Sequence, residues 1–269
     1  MAMRTAFRTS NPALNSKSFG GFVGGSVGVD PRTASSRTAE TGVPGAMTIQ
    51  GTVDKTAILL ALTIFAAIWP WKLLFDTRDP NVVLPWIMIG SVGGFVLALV
   101  TIFKKSWARV TAPLYAACEG LALGSISALF EVRYHGIAFQ AMALTFGVLA
   151  IMLVAYKTKA IRATQGFKLG VIAATGAIAL VYLLSMGLGM FGVHLGFLTS
   201  SGPLGIGISL LVVGVAALNL VLDFDVVEQG ARAGAPKYME WYGAFGILVT
   251  LVWLYLEILR LLAKLNNRR

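Results

Sequence analysis

The sequence predicts an all-α integral membrane protein, a bundle of seven transmembrane helices behind a disordered N-terminal tail. Three observations predict it. The chain of 269 residues is 57% apolar and only 13% charged, against about 25% charged in ordinary soluble domains. Its mean hydropathy is +0.76, more apolar surface than a soluble fold can hide from water. From Lys55 onward the apolar residues fall into runs near the ~20 residues that a helix needs to cross hydrocarbon.

The tail comes first. Residues 1–54 are rich in Ser, Gly, Thr and Arg, with no periodicity, and read as a disordered cytoplasmic segment. The stretch after Met1 lacks the continuous apolar core of a signal peptide. Residues 55–269 form the membrane domain, with apolar runs at 56–75, 82–103, 111–130, 137–156, 168–191, 203–225 and 239–264. Connections between them are short, which favours one bundle. Gly90 with Gly94, and Gly120 with Gly124, are small-xxx-small pairs of the kind that lets helix backbones approach closely in lipid. No internal repeat of the inverted-transporter type is visible.

Charge supplies the orientation. Lys104, Lys105 and Arg109 flank the second connection, and Lys157, Lys159, Arg162 and Lys168 fill the fourth. Basic connections face the cytoplasm, which places the tail there as well, at the cell membrane. Seven crossings then put Lys264, Arg268 and Arg269 outside. Either the last helix does not fully cross or the inner connections dominate, and the second reading is preferred. The formal net charge of +10 is read as topogenic charge facing anionic lipid, because no nucleic-acid-binding module is present. The expected partners are the bilayer and other membrane proteins; oligomeric state is open.

Enzyme chemistry finds little support. The single cysteine, Cys118, lies in an apolar run and forms neither a disulfide nor a Cys-based zinc site. His135 and His194 fall in connections. No His-Glu-x-x-His, Gly-x-Ser-x-Gly or phosphate-binding glycine loop occurs. Lys264, at the very end of the last run, is badly placed for a Schiff base. No cofactor is expected, and Ca²⁺ enters only as a permeant ion.

The acids within the apolar runs carry the functional reading, since each costs about 2.5–3.5 kcal/mol at the centre of a membrane helix unless partnered. Glu119 sits near the middle of the third run, with the backbone or Gln140 as candidate partners. Asp223 and Asp225 close the sixth run. Asp223 shares a helix face with Asn219 and points inward, whereas Asp225 faces the headgroups. Lys104, Lys105 or Arg109 are candidate charge partners for Asp223. Glu257 lies in the seventh run, with Arg260 in reach on the same face. Two carboxylates brought together titrate as a unit and hold a proton, or supply oxygen ligands for Ca²⁺. Asp223 and Glu257 are the candidate pair and the candidate transient Ca²⁺ ligands.

The segments Leu220-Val-Leu-Asp-Phe-Asp-Val-Val-Glu228 and Leu254-Tyr-Leu-Glu-Ile-Leu-Arg-Leu-Leu262 resemble the Bax inhibitor-1 family in its bacterial branch. Asp223 matches the acid of the family's sixth helix, and Glu257 stands where an Asp is more usual in the seventh. The resemblance covers residues 55–269 and is most specific in the last third. It implies a seven-helix bundle and a pH-sensitive calcium leak latched by the two acids. Other members are regulators of cell death, stress responses or membrane proteolysis, so a non-conducting regulator is the alternative. One departure matters: Asp223 and Glu257 are 34 positions apart, more than the family leads one to expect. They meet only if a loop or re-entrant turn absorbs the extra length.

Overall fold

The computed structural model describes residues 45–192, 196 and 200–268. Most of the expected tail, together with His194 and Arg269, lies outside the described residues. Within them are seven helices long and apolar enough to cross a membrane: α1 (Ile49–Thr77), α2 (Leu84–Phe103), α3 (Ala108–Arg133), α4 (Ile137–Lys157), α5 (Gln165–Met190), α6 (Pro203–Arg232) and α7 (Met239–Asn266). Short 3₁₀ turns, Pro80–Val83 and Lys105–Trp107, precede α2 and α3.

Two helices are longer than the apolar runs imply. α1 begins at Ile49, where the Thr48 hydroxyl accepts from Gly51 N–H as an N-cap should. The threonines that follow suit a buried face: Thr52, Thr56 and Thr63 each return a hydroxyl hydrogen bond to the carbonyl four residues back, so no side-chain donor is stranded in the apolar interior. α6 continues through Arg232. Asp223 and Asp225 therefore lie inside a helix rather than at its end. α7, with 28 residues, is long and apolar enough to cross a membrane.

α7 is the central helix, packing on α1, α3, α4 and α6. The largest core cluster gathers Leu220 of α6 with Leu251, Leu254, Ile258 and Leu259 of α7 and Ile137 and Ala141 of α4. α1, α2 and α3 form a tight layer. A Cβ built on Gly120 would stand 2.4 Å from the Thr63 carbonyl oxygen, and one on Gly124 would stand 2.4 Å from that of Ala67. At Gly90 it would come within 2.6 Å of the Cys118 carbonyl oxygen. Both glycine pairs thus make the close helix contacts their spacing implies.

The segment before α1 is part of the bundle. Met47 is a core residue. Its N–H donates to the Ala235 carbonyl at 2.6 Å, and Lys237 N–H donates to that of Gly45 at 2.9 Å. The segment before α1 and the α6–α7 turn are thereby clasped together.

Candidate functional site

The helices alternate in direction, so the charged residues sort to two ends of the bundle. One end gathers the start of α1, the ends of α4 and α6 and the starts of α5 and α7. There Lys168 pairs with Asp225 at 2.5 Å. Glu228 pairs with Arg232 and accepts a hydrogen bond from the Tyr156 hydroxyl. Glu240, fully buried, is held by Lys55 at 2.6 Å and Lys237 at 3.0 Å. It also accepts from the Thr48 N–H and hydroxyl. This carboxylate locks the start of α7 to the start of α1.

From that end a polar seam runs along α5. Lys168, Thr175 and Tyr182 recur at intervals of seven residues, two helical turns and so ~10 Å apart on one face. Each reaches a polar partner on α6 or α7. Lys168 pairs with Asp225. The Thr175 hydroxyl accepts from Asn219 Nδ2 at 2.8 Å. The Tyr182 hydroxyl donates to Glu257 Oε1 at 2.9 Å. Arg260 Nη1 lies 2.8 Å from the same Oε1 and 2.9 Å from the Tyr182 hydroxyl. Beyond Arg260, Lys264 Nζ donates to the Gly205 carbonyl at 3.0 Å and to Ser209 Oγ at 2.9 Å. Asn267 closes the line by donating to Ser201 at 3.1 Å. The seam reaches both ends of the bundle.

α5 has little else to hold it. Val171 is its one buried residue, and Leu169, Ile172, Leu180, Leu183 and Met186 are exposed to the surroundings. Glu257 is the most confined group of the seam. It is 2% exposed; its Oε1 takes both neighbouring donors, while its buried Oε2 has no hydrogen-bond partner among the described residues. A buried acceptor left unpaired costs free energy comparable to the desolvation of the group, about 1–3 kcal/mol or more when charged.

Asp223 and Glu257 do not form the expected pair. Asp223 accepts instead from the Thr250 hydroxyl at 2.6 Å and faces Gly246. Thr250 precedes Glu257 by seven residues, which sets Glu257 ~10 Å further along the axis. The reason is the turn. α6 ends at Arg232 and α7 begins at Met239, so the extra length between the acids is straight helix rather than a loop that could absorb it. The two acids therefore do not make a joint Ca²⁺ site, and no cluster of three or more His, Cys, Asp or Glu suited to a metal occurs among the described residues.

The other expected partners divide. Arg260 pairs with Glu257 as expected. Lys104 instead lies over the Trp107 ring at 4.1 Å and Lys105 over that of Tyr242 at 5.2 Å, while Arg109 is exposed; none holds Asp223. Asp225 is inside the bundle seam and not directed at headgroups alone. Glu119 lies between α2 and α3, close against Gly94, with Tyr115 as its side-chain partner and not the exposed Gln140. It stands outside the seam. The roles of Tyr182 and Thr175 escaped the sequence reading, although their spacing from Lys168 is a signal. Glu240 escaped it too, three residues after Lys237.

A protein-family model described as Bax inhibitor 1 like matches residues 6–267, so the likeness reaches well into the segment before residue 55. No curated protein and no solved structure matches the chain.

Proposed function

The chain belongs to the Bax inhibitor 1-like family, and from that premise we propose that it is a pH-sensitive leak for cations, calcium among them, gated by the α5 seam. The observation that carries the reading is Glu257, buried with one oxygen doubly occupied and the other free of partners. In the arrangement described, the seam is shut, because Lys168 and Arg260 occupy the acids that a cation would otherwise meet. Protonating Asp225 or Glu257 removes the charge that holds those bases in place. The tethers of α5 then weaken, and the helix separates from α6 and α7 more easily. On this reading the leak rises as pH falls. Each acid acts at its own depth, not as a shared-proton dyad. The basic connections favour a cytoplasmic position for the end bearing Lys157, Lys159 and Arg162, in the cell membrane.

The experiment is Ca²⁺ flux into proteoliposomes from about pH 5 to about pH 8. Wild type is compared with Glu257→Gln, Asp225→Asn and Asp223→Asn. Glu257→Gln and Asp225→Asn are expected to leak at high pH and to lose most of their pH response, with Asp223→Asn close to wild type. An effect confined to Asp223→Asn would remove the seam as the gate. Absence of flux at every pH, from protein shown to be folded, would favour the second reading, a regulator that binds other membrane proteins and conducts nothing.

A further inference from the structure

α1 and α4 each pack on α7 and leave a trough between them. A cavity of about 820 Å³ opens there at the basic end, with walls from Val53, Ala57, Leu149 and Leu153. A second cavity of about 420 Å³ lies toward the other end of α1, lined by Ile64, Ile68 and Phe146 among other apolar side chains. Leu60 borders both, so the two follow one another along the same helix pair. The trough has mostly apolar walls, with Lys72 on the lining of the second cavity and a cluster of charged residues at the first.

Among the described residues, the charge at the mouth of the first cavity is not balanced. Its two acids are engaged, Asp225 by Lys168 and Glu228 by Arg232 and Tyr156. Lys157, Lys159 and Arg162 also line the cavity; they are exposed, and none forms an ion pair among the described residues. Lys159 moreover occupies the left-handed region, with φ 58°, a conformation that glycine or asparagine adopts at lower cost. Lys159 is the residue directly after the α4 cap Thr158, where a helix commonly turns left-handed. Three unpaired cations above an apolar slot complement one ligand chemistry: a phosphate-bearing head with a hydrocarbon chain attached.

We propose that the trough between α1 and α4 binds an anionic phospholipid, its phosphate held by Lys157, Lys159 and Arg162 and an acyl chain lying against Val53, Ala57 and Leu60. The lipid fills the space that direct packing of α1 on α4 would otherwise close. This site is separate from the α5 seam and does not rest on the leak reading.

The test is native mass spectrometry of the full chain released from micelles containing phosphatidylglycerol or phosphatidylcholine. Wild type is expected to retain one phosphatidylglycerol in preference to phosphatidylcholine. The triple variant K157Q/K159Q/R162Q is expected to weaken that retention by about a hundredfold, as three basic groups near an anionic surface should. A control variant, K104Q/K105Q/R109Q, removes as many charges from the same end and is expected to retain the lipid. Ala57→Trp keeps all three bases but blocks the slot, and is expected to lose the lipid too. Circular dichroism and thermal unfolding verify that each variant is folded; a variant that fails is replaced by its single substitutions, read the same way. Equal retention of both lipids, or an equal loss in the two triple variants, overturns the proposal. Displacement of phosphatidylglycerol by inorganic phosphate, with Ala57→Trp behaving as wild type, would mean a free-anion site and would also overturn it.

Discussion

α3 and α5 are of equal length, 26 residues each, and are held in opposite ways. α3 is held by contact. Gly120 and Gly124 bring it against the backbone of α1, and Ala112, Ala116, Ala122 and Ala128 keep its neighbours near. α5 is held by three polar links at intervals of two turns, with wide apolar faces turned away from the protein. In lipid, apolar area gives no drive to associate, because hydrocarbon tails solvate leucine as well as another helix does. Close packing and polar links are what remain. Close packing is insensitive to pH, whereas two of the three α5 links end on carboxylates. One bundle thus contains a layer held by close packing and a helix held by polar links.

The strongest challenge to this contrast is Gly120→Leu. Its Cβ alone would collide with the Thr63 backbone, so the cost should exceed the roughly 1–3 kcal/mol of ordinary overpacking. The expected outcome is loss of monodisperse protein on size exclusion, or a large fall in Tm. An intermediate effect is expected from Tyr182→Phe, which removes the hydroxyl that donates to Glu257 and accepts from Arg260 and leaves Glu257 with Arg260. Such bonds contribute about 0.6 kcal/mol on average and up to about 1.7. A double-mutant cycle with Glu257→Gln should return a coupling of that size, and a coupling near zero would detach Tyr182 from the seam. The smallest effect is expected at Gly176 of α5, where an added Cβ meets nothing within 4 Å. Gly176→Ala should be neutral or stabilising by up to about 1 kcal/mol through helix propensity. A marked loss of stability there would show that α5 is packed more tightly than its surface indicates.

How much of this was legible beforehand follows from what each feature depends on. The seven crossings depend on run length and hydropathy, both local properties, and they are all present. The glycine pairs were legible because close approach has a local spacing. The Glu257–Arg260 pair was legible for the same reason, lying within one turn of one helix. The meeting of Asp223 with Glu257 was not legible, because it depends on the register between two antiparallel helices. Helix α6 continues past Asp225 through Val226, Val227 and Glu228, polar and apolar together, and only the turn at Gly234 ends it. Each additional helical residue on either side of that turn moves Glu257 away from Asp223. The seam of α5 was legible in principle from Lys168, Thr175 and Tyr182, but its partners sit on other helices, and a polar residue every second turn is easily read as incidental. Glu240 was hidden by position: an acid at the head of an apolar run looks like a surface charge until the chain start folds over it.

The clasp between residues 45–48 and the α6–α7 turn extends the folded unit ahead of its first apolar run. A fragment designed from hydropathy would start at Lys55, where the apolar run begins. It would keep all seven crossings and still lack Met47 in the core, the Thr48 cap, and two of the donors that hold Glu240. Lys55 and Lys237 would remain beside that carboxylate, but α7 would open toward water at its first turn. A boundary for a fusion or a truncation therefore belongs ahead of Gly45, not at the apolar edge of the first membrane helix.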